Sequence, residues 1–328
     1  MRGALTAAGA VVVIASYAGS GFSRTAGVAG ARAPSPVLVA SLRNTDTMAI
    51  VDLATGKALG RVPVGDDPHG VALSLDGTLA FAASLMGNSI SVIDVAARKE
   101  LRRIDVPGSH PHDIQFAAGK VYFTAEGYKS IGRYDPSTRR LDYFGLGQES
   151  PHMLAVSRDG TTIVSANRLS QNISIIEGAG PPDWKVRVIS TGRPGEGVDV
   201  TPDGKEVWIG NRDHAGVSIV NLPTGTVTGH VDTQTQDASR LKITPDGTQV
   251  LVADYESHIL VVIDAASRRV TKRFSITAGA LAVTQDSTRA YMAGAADYVT
   301  VLDLKTLEVA GRINVGPDVH AVAWAAGR

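Results

Sequence analysis

The chain contains no cysteine. That excludes a disulfide framework, a thiolate nucleophile, an iron–sulfur cluster and any cysteine zinc site. A bound metal would have to use histidine, aspartate, glutamate or water. Aromatic residues are scarce, at 5%, and no aromatic platform with a basic track is visible for a single-stranded nucleic acid. An excess of one charge is lacking as well. The 32 Lys and Arg balance 32 Asp and Glu, which excludes a broad basic face for nucleic acid. There is no G-x-S-x-G elbow, phosphate-binding loop, G-x-G-x-x-G fingerprint, H-E-x-x-H helix or calcium loop. Nothing therefore points to a nucleotide cofactor.

Long hydrophobic runs are also few. The run Ala4–Ala15 follows Arg2 and precedes small residues with A-x-A-like sites near Ala29 to Ala33. A membrane span needs ~20 residues, so residues 1–34 read as a secretory signal and processing segment. A secreted or cell-envelope location and a mature chain without a membrane span are expected. Arg2, Arg24 and Arg32 leave with the segment, so 32 basic residues fall to 29 against 32 acidic, a net of −3. Residues 35–328 are expected to form one domain.

That remainder is periodic. A unit of the form "small or His, apolar, x, apolar, then Asp-Gly" starts at residues 69, 112, 152, 196, 239, 279 and 320. Within each ~40-residue period, short alternating runs are separated by turn residues. In the second unit they are VALSL, LAFAAS, ISVIDV and ELRRIDV, with Asp76-Gly77 expected to supply positive φ angles for a hairpin turn. Four antiparallel strands per ~40 residues is a propeller blade. An acidic or amide residue closes the third run in every unit: Asp52, Asp94, Asp135, Glu177, Asn221, Asp264 and Asp303. These are expected to hold turns by bonding nearby backbone N–H groups. The pattern ends after a first strand near 320–325 and begins at a second, PVLVASL. A shared blade, closed by the C-terminal strand, is therefore expected. The fold class is all-β, a seven-bladed β-propeller.

The runs NSISVIDVAARKELRRIDVPG (88–108) and PHGVALSLDG (68–77) resemble the YVTN-type propeller repeat. The resemblance covers residues ~35–328. It implies an exported or surface-layer bacterial protein in the broad superfamily of quinoprotein-like, haem d1-type and lactonase-like propellers. One such scaffold carries many activities, and Asp286-Ser287 in place of Asp-Gly is a local departure.

Equivalent repeat positions form rings around a propeller channel. The ring at the start of the first strands is His69, His112, His152, Glu196, Ser239, Gly279 and His320, which holds half of the eight histidines. His69, His112, His152, His320 and Glu196 are candidate ligands for a divalent transition metal, or acid–base groups. The other reading is that these histidines bond a neighbouring loop. The loops between the second and third strands place Arg43, Arg168 and Arg212 at one repeat position, with Arg240 beside Ser239. Glu126, Tyr128, Asp254 and Tyr255 come from the same set of loops. Guanidinium groups match carboxylate or phosphate, so an anionic small molecule is the favoured ligand, with a protein partner as the other. A metal-assisted hydrolase or lyase using the same ring, and a surface module with no small-molecule site, are the alternatives. No complete catalytic set is readable, which leaves the enzyme question open with binding favoured, and a monomer is expected.

Overall fold

The computed structural model describes residues 35–178, 183–212, 216–294 and 296–327. The expected export segment and the loop residues Asp213 and His214 lie outside the described residues. Among the described residues no helix is long and apolar enough to cross a membrane.

Seven four-stranded antiparallel sheets are present among the described residues. We call their strands A to D from the channel outward. Blade 2 is typical, with A at Pro68–Leu73, B at Leu79–Ser84, C at Ser89–Asp94 and D at Lys99–Asp105. Strands B and C are buried along almost their whole length, because both of their faces meet neighbouring blades. Their sequences, LAFAAS and SISVID, are accordingly apolar or small up to the closing Asp94. Strand D alternates between exposed and half-buried residues. Its Lys99, Arg102 and Arg103 place charge on the free outer edge, which discourages pairing with another chain. Between blades 2 and 3, Phe81 and Phe123 pack with Ala72 and Ile114 in one apolar seam. Each such fully buried aromatic contributes roughly 1.5–3 kcal/mol.

Closure follows the expected scheme. Blade 1 takes its strand A, Val319–Ala325, from the C-terminal end and strands B to D from Val37–Leu42, Thr47–Asp52 and Lys57–Pro63. Val37 pairs with Ala325 and Leu42 with Val319. Trp324 donates its indole N–H to the Val283 carbonyl of blade 7, at 2.5 Å, and so stitches the last seam.

The A–B turns differ from the expected form. In the Asp76-Gly77 turn only the glycine is left-handed, at φ 69°. The carboxylate of Asp76 instead accepts from the Thr78 N–H and from the hydroxyls of Ser74 and Thr78. Ser287 takes the glycine's place at φ 55°, and its hydroxyl accepts from the Asp246 N–H of blade 6. The residues that close strand C do hold turns. Asp94 accepts from Ala97 N–H, Asn221 from Thr224 N–H and Asp264 from Ser267 N–H. Glu177 departs from the pattern and pairs with Arg187.

Strands A start earlier than their hydrophobic alternation suggests. They open with a β-bulge in five blades, a feature that alternation cannot reveal. In blade 2, Pro68 faces Ser84 and Gly70 faces Ala83, which leaves His69 without a cross-strand partner. The same irregularity covers His112, His152, Glu196 and His320. Strands A of blades 6 and 7, Arg240–Ile243 and Ala280–Val283, are shorter and start after the ring position.

Candidate functional site at the channel mouth

A bulge residue is released from the ladder, and its side chain can be re-aimed. Here the five bulges turn four imidazoles and one carboxylate to one mouth of the channel. The imidazoles form a row in blade order. Ring centroids are 4.1 Å apart for His320 and His69, 4.1 Å for His69 and His112, and 3.8 Å for His112 and His152. His320 Nε2 lies 3.0 Å from His69 Nδ1. At the end of the row, His152 Nδ1 bonds the Glu126 carboxylate, and His152 Nε2 stands 3.5 Å from Glu196 Oε1.

The loops between strands B and C are clipped to the loops that enter strand A. Arg43 N–H donates to Asp318 O, Arg168 N–H to Ser150 O and Arg212 N–H to Pro194 O. Each carbonyl belongs to the residue two before a ring residue, so arginines and ring residues are held in fixed relation. Gly210, two residues before Arg212, lets the loop that enters blade 6 approach closely, since a Cβ there would overlap the Ala238 carbonyl oxygen. Asn211, which follows it, donates to Gly216 O and Ser218 Oγ.

Three of the arginines converge on Glu196, which is only 3% exposed. Arg240 Nη1 lies 2.5 Å from Oε1, Arg212 Nη1 2.8 Å from Oε2, and Arg168 Nη1 3.7 Å from Oε2. Arg240 also donates to the Gly279 carbonyl at 2.6 Å. Arg212 makes a second ion pair, to Asp237 at 3.1 Å. Arg43 pairs instead with Asp67 and stands apart from this group.

Asp67 and Asp237 are the site residues that sequence reasoning missed. A signal was available, because Asp67, Asp237 and Asp318 all lie two residues before a ring position.

The remaining candidates are placed differently. Tyr255 lies against Gly279, where a Cβ would meet its ring at 3.2 Å, so it fills the one ring position without a side chain. Asp254 is fully buried and spends its carboxylate on the N–H groups of Gln236, Asp237 and Ser257. Tyr128 turns outward, donates to the Pro107 carbonyl and packs edge-on against Tyr143 of strand D.

Electrostatics divide the mouth in two. Burial, with the charges of Arg43 and Arg240, pushes His69 down to about 3. Burial and the neighbouring His69 push His320 down to about 2. Burial and the flanking His152 and His69 hold His112 well below its ordinary value. These three are neutral near pH 7. Burial also acts against the charged form of His152, but its bonds to Glu126 and Glu196 outweigh it and raise the group. For Glu196, burial is outweighed by the bond to His152 and by Arg240, and the carboxylate is held ionised. Asp237 is raised to about 6, chiefly by burial.

Under the ring lies a cavity of about 270 Å³, lined among others by His69, His112, Arg240, Lys242, Gly279 and His320. Typical small-molecule pockets run from about 300 to 1,000 Å³, so any guest here is small.

Seven radial sheets closed round a channel, with polar side chains gathered at one mouth, define the chain as a seven-bladed β-propeller. Solved structures agree. A functionally unknown protein from Desulfotomaculum acetoxidans matches with a TM-score of 0.74 at 13% identity, over 89% of this chain and 99% of that one. Hydrazine synthase from Kuenenia stuttgartiensis matches with 0.67 at 18% identity, over 91% and 100%. The dihydro-heme d1 dehydrogenase NirN, in complex with DHE, matches with 0.62 at 12% identity, over 88% and 75%. At these identities the likeness is one of fold. No family model and no curated protein matches the sequence.

Proposed function

We propose that this chain is an exported, YVTN-type propeller that binds a small anionic molecule at the channel mouth. The observation that carries the reading is the gathering of Arg168, Arg212 and Arg240 around one buried carboxylate beside the cavity. Among the described residues the three guanidiniums share two carboxylates, those of Glu196 and Asp237. Arg168 is the loosest member at 3.7 Å, and it is the one most able to swing to an incoming oxyanion. Guanidinium forks suit carboxylate and phosphate. NirN, which shares the fold, is seen with DHE bound, in keeping with a propeller that carries a ligand. The export reading rests on residues 1–34, with their short basic start, apolar run and small-residue cleavage zone.

Calorimetric titration of the tag-free chain with acetate, malonate, citrate and inorganic phosphate tests the binding reading. One of these anions is expected to bind with 1:1 stoichiometry and weaken as salt rises. Arg168→Gln is expected to reduce its affinity about tenfold, the loss of roughly one exposed charge-assisted contact. Absence of saturable binding by every anion, or equal affinity in Arg168→Gln, overturns the reading.

A further inference from the structure

We propose that His112, His152 and Glu126 form a site for one divalent first-row transition-metal ion, with a coordination position left open toward the mouth. The site goes beyond the anion reading and does not depend on it. Three observations point to it. One donor atom from each residue lies within 4.8 Å of the others. A tetrahedral ion with bonds of about 2.0–2.1 Å needs donors about 3.3 Å apart. The widest separation must close by about 1.5 Å, and Glu126, half-buried in the short 3₁₀ turn Glu126–Tyr128, has a side chain that can rotate to help close it.

The second observation is an unmet need. His112 is only 6% exposed, and its Nδ1 has no hydrogen-bond partner. A buried polar atom left unpaired costs about 1–3 kcal/mol. It calls for an explanation such as an ion. A purely structural histidine in this row would be expected to aim that nitrogen at a carbonyl or hydroxyl.

The third observation is the outer support. A metal-bound imidazole normally donates its other N–H to a carboxylate, which fixes its tautomer and raises its basicity. If His152 ligates through Nδ1, its Nε2 faces Glu196 at 3.5 Å, and Glu196 is itself held by Arg212 and Arg240. The carboxylate that ligates and the carboxylate that orients thus sit on opposite sides of one imidazole. In the metal-free chain His152 Nδ1 and the Glu126 carboxylate bond each other directly.

Two imidazoles and one carboxylate suit Zn²⁺ or Fe²⁺ with an open position, and disfavour Ca²⁺ and Mg²⁺, which demand oxygen ligands. The chain supplies no thiolate to compete.

The test is titration of tag-free, chelator-treated protein with Zn²⁺, and with Co²⁺ as a spectroscopic stand-in. One ion per chain is expected, with a tetrahedral or five-coordinate Co²⁺ spectrum. His112→Gln and Glu126→Gln are each expected to cost more than 100-fold in affinity. Glu196→Gln should cost about 10–100-fold, as loss of an outer partner does. His230→Gln, on an outer strand D, should bind as the parent does. Melting curves of the metal-free variants check that they fold, and Glu126→Gln serves if His112→Gln does not. Failure of Zn²⁺, Co²⁺ and Fe²⁺ to bind at one per chain overturns the proposal. So does binding undiminished by both substitutions. Anion affinity is measured in the chelated protein, so failure of either reading is seen without the other.

Discussion

At the residue scale, three neutral imidazoles stacked against one another carry a pH cost with a definite sign. In the metal-free fold His69 and His320 are depressed to about 3 and about 2, and His112 is depressed also, against an ordinary 6.5. Below pH 6.5 the unfolded chain takes up protons that the fold refuses. The share of stability that these three supply is therefore full above 6.5 and is lost as pH falls toward 3, with a slope that grows with the number of such groups. Asp237, raised to about 6, and the buried Asp113, also raised, work the other way at acid pH, as the raised His152 does above 6.5, while Glu196, held low, adds to the acid loss. Denaturant titrations across this range should show the unfolding free energy falling with acidification, and His69→Gln should make the fall shallower. A flat profile, or an unchanged slope in His69→Gln, would sink this account. Legibility at this scale was uneven. The recurrence of His at one repeat position was plain, because ring geometry turns a period into a place. The partners were not, since Arg212 reaches Glu196 and Asp237 from different loops. Tyr128 shares its loop with Glu126 yet points to the opposite side, and alternation is silent about loop side chains.

At the element scale, the sequence located strands B almost to the residue but placed strands A late. The second unit shows why. LAFAAS is both a buried strand and a visible run, whereas Pro68, His69 and Gly70 form a bulged start that breaks the two-residue alternation. The turns allow a clean contrast between two glycines. Gly204 is left-handed at φ 70° with nothing within 4 Å of the place a Cβ would take, so Gly204→Ala meets only backbone strain. Left-handed geometry costs an alanine roughly 1–2 kcal/mol. Gly311 lies in strand D, has no positive φ, and is equally open. Gly311→Ala should be neutral or stabilise by up to about 1 kcal/mol, because it removes freedom from the unfolded chain. Thermal melts of the two variants should move in opposite directions, or only Gly204→Ala should move. A loss of stability in Gly311→Ala equal to that in Gly204→Ala would show that the turn conformation is not what matters.

At the scale of the whole molecule, no disulfide fastens the ring, so closure depends on one strand. Val319–Ala325 supplies the ladder to Val37–Leu42, the Trp324 bond to blade 7 and the Ala321 N–H bond to Ser41 Oγ. Deleting residues 319–328 should leave strand B of blade 1 as an open edge, and such edges invite association. The truncated chain is expected to lose its cooperative melt or to aggregate in light scattering. A monomeric variant that melts like the parent would refute the dependence on closure. The seven-fold architecture was the most legible level, because seven copies of one unit repeat the same signal. The mouth's pairing pattern was the least, because it lives between copies.

His320 rides on that closing strand, and its bond to His69 joins residues 251 positions apart. The row of imidazoles is therefore complete only after the last strand has docked. A newly made chain with six finished blades would lack one of the four imidazoles, with His69 facing open channel. Closure is thus written into the mouth itself: one neighbour of His69 arrives only with the final strand.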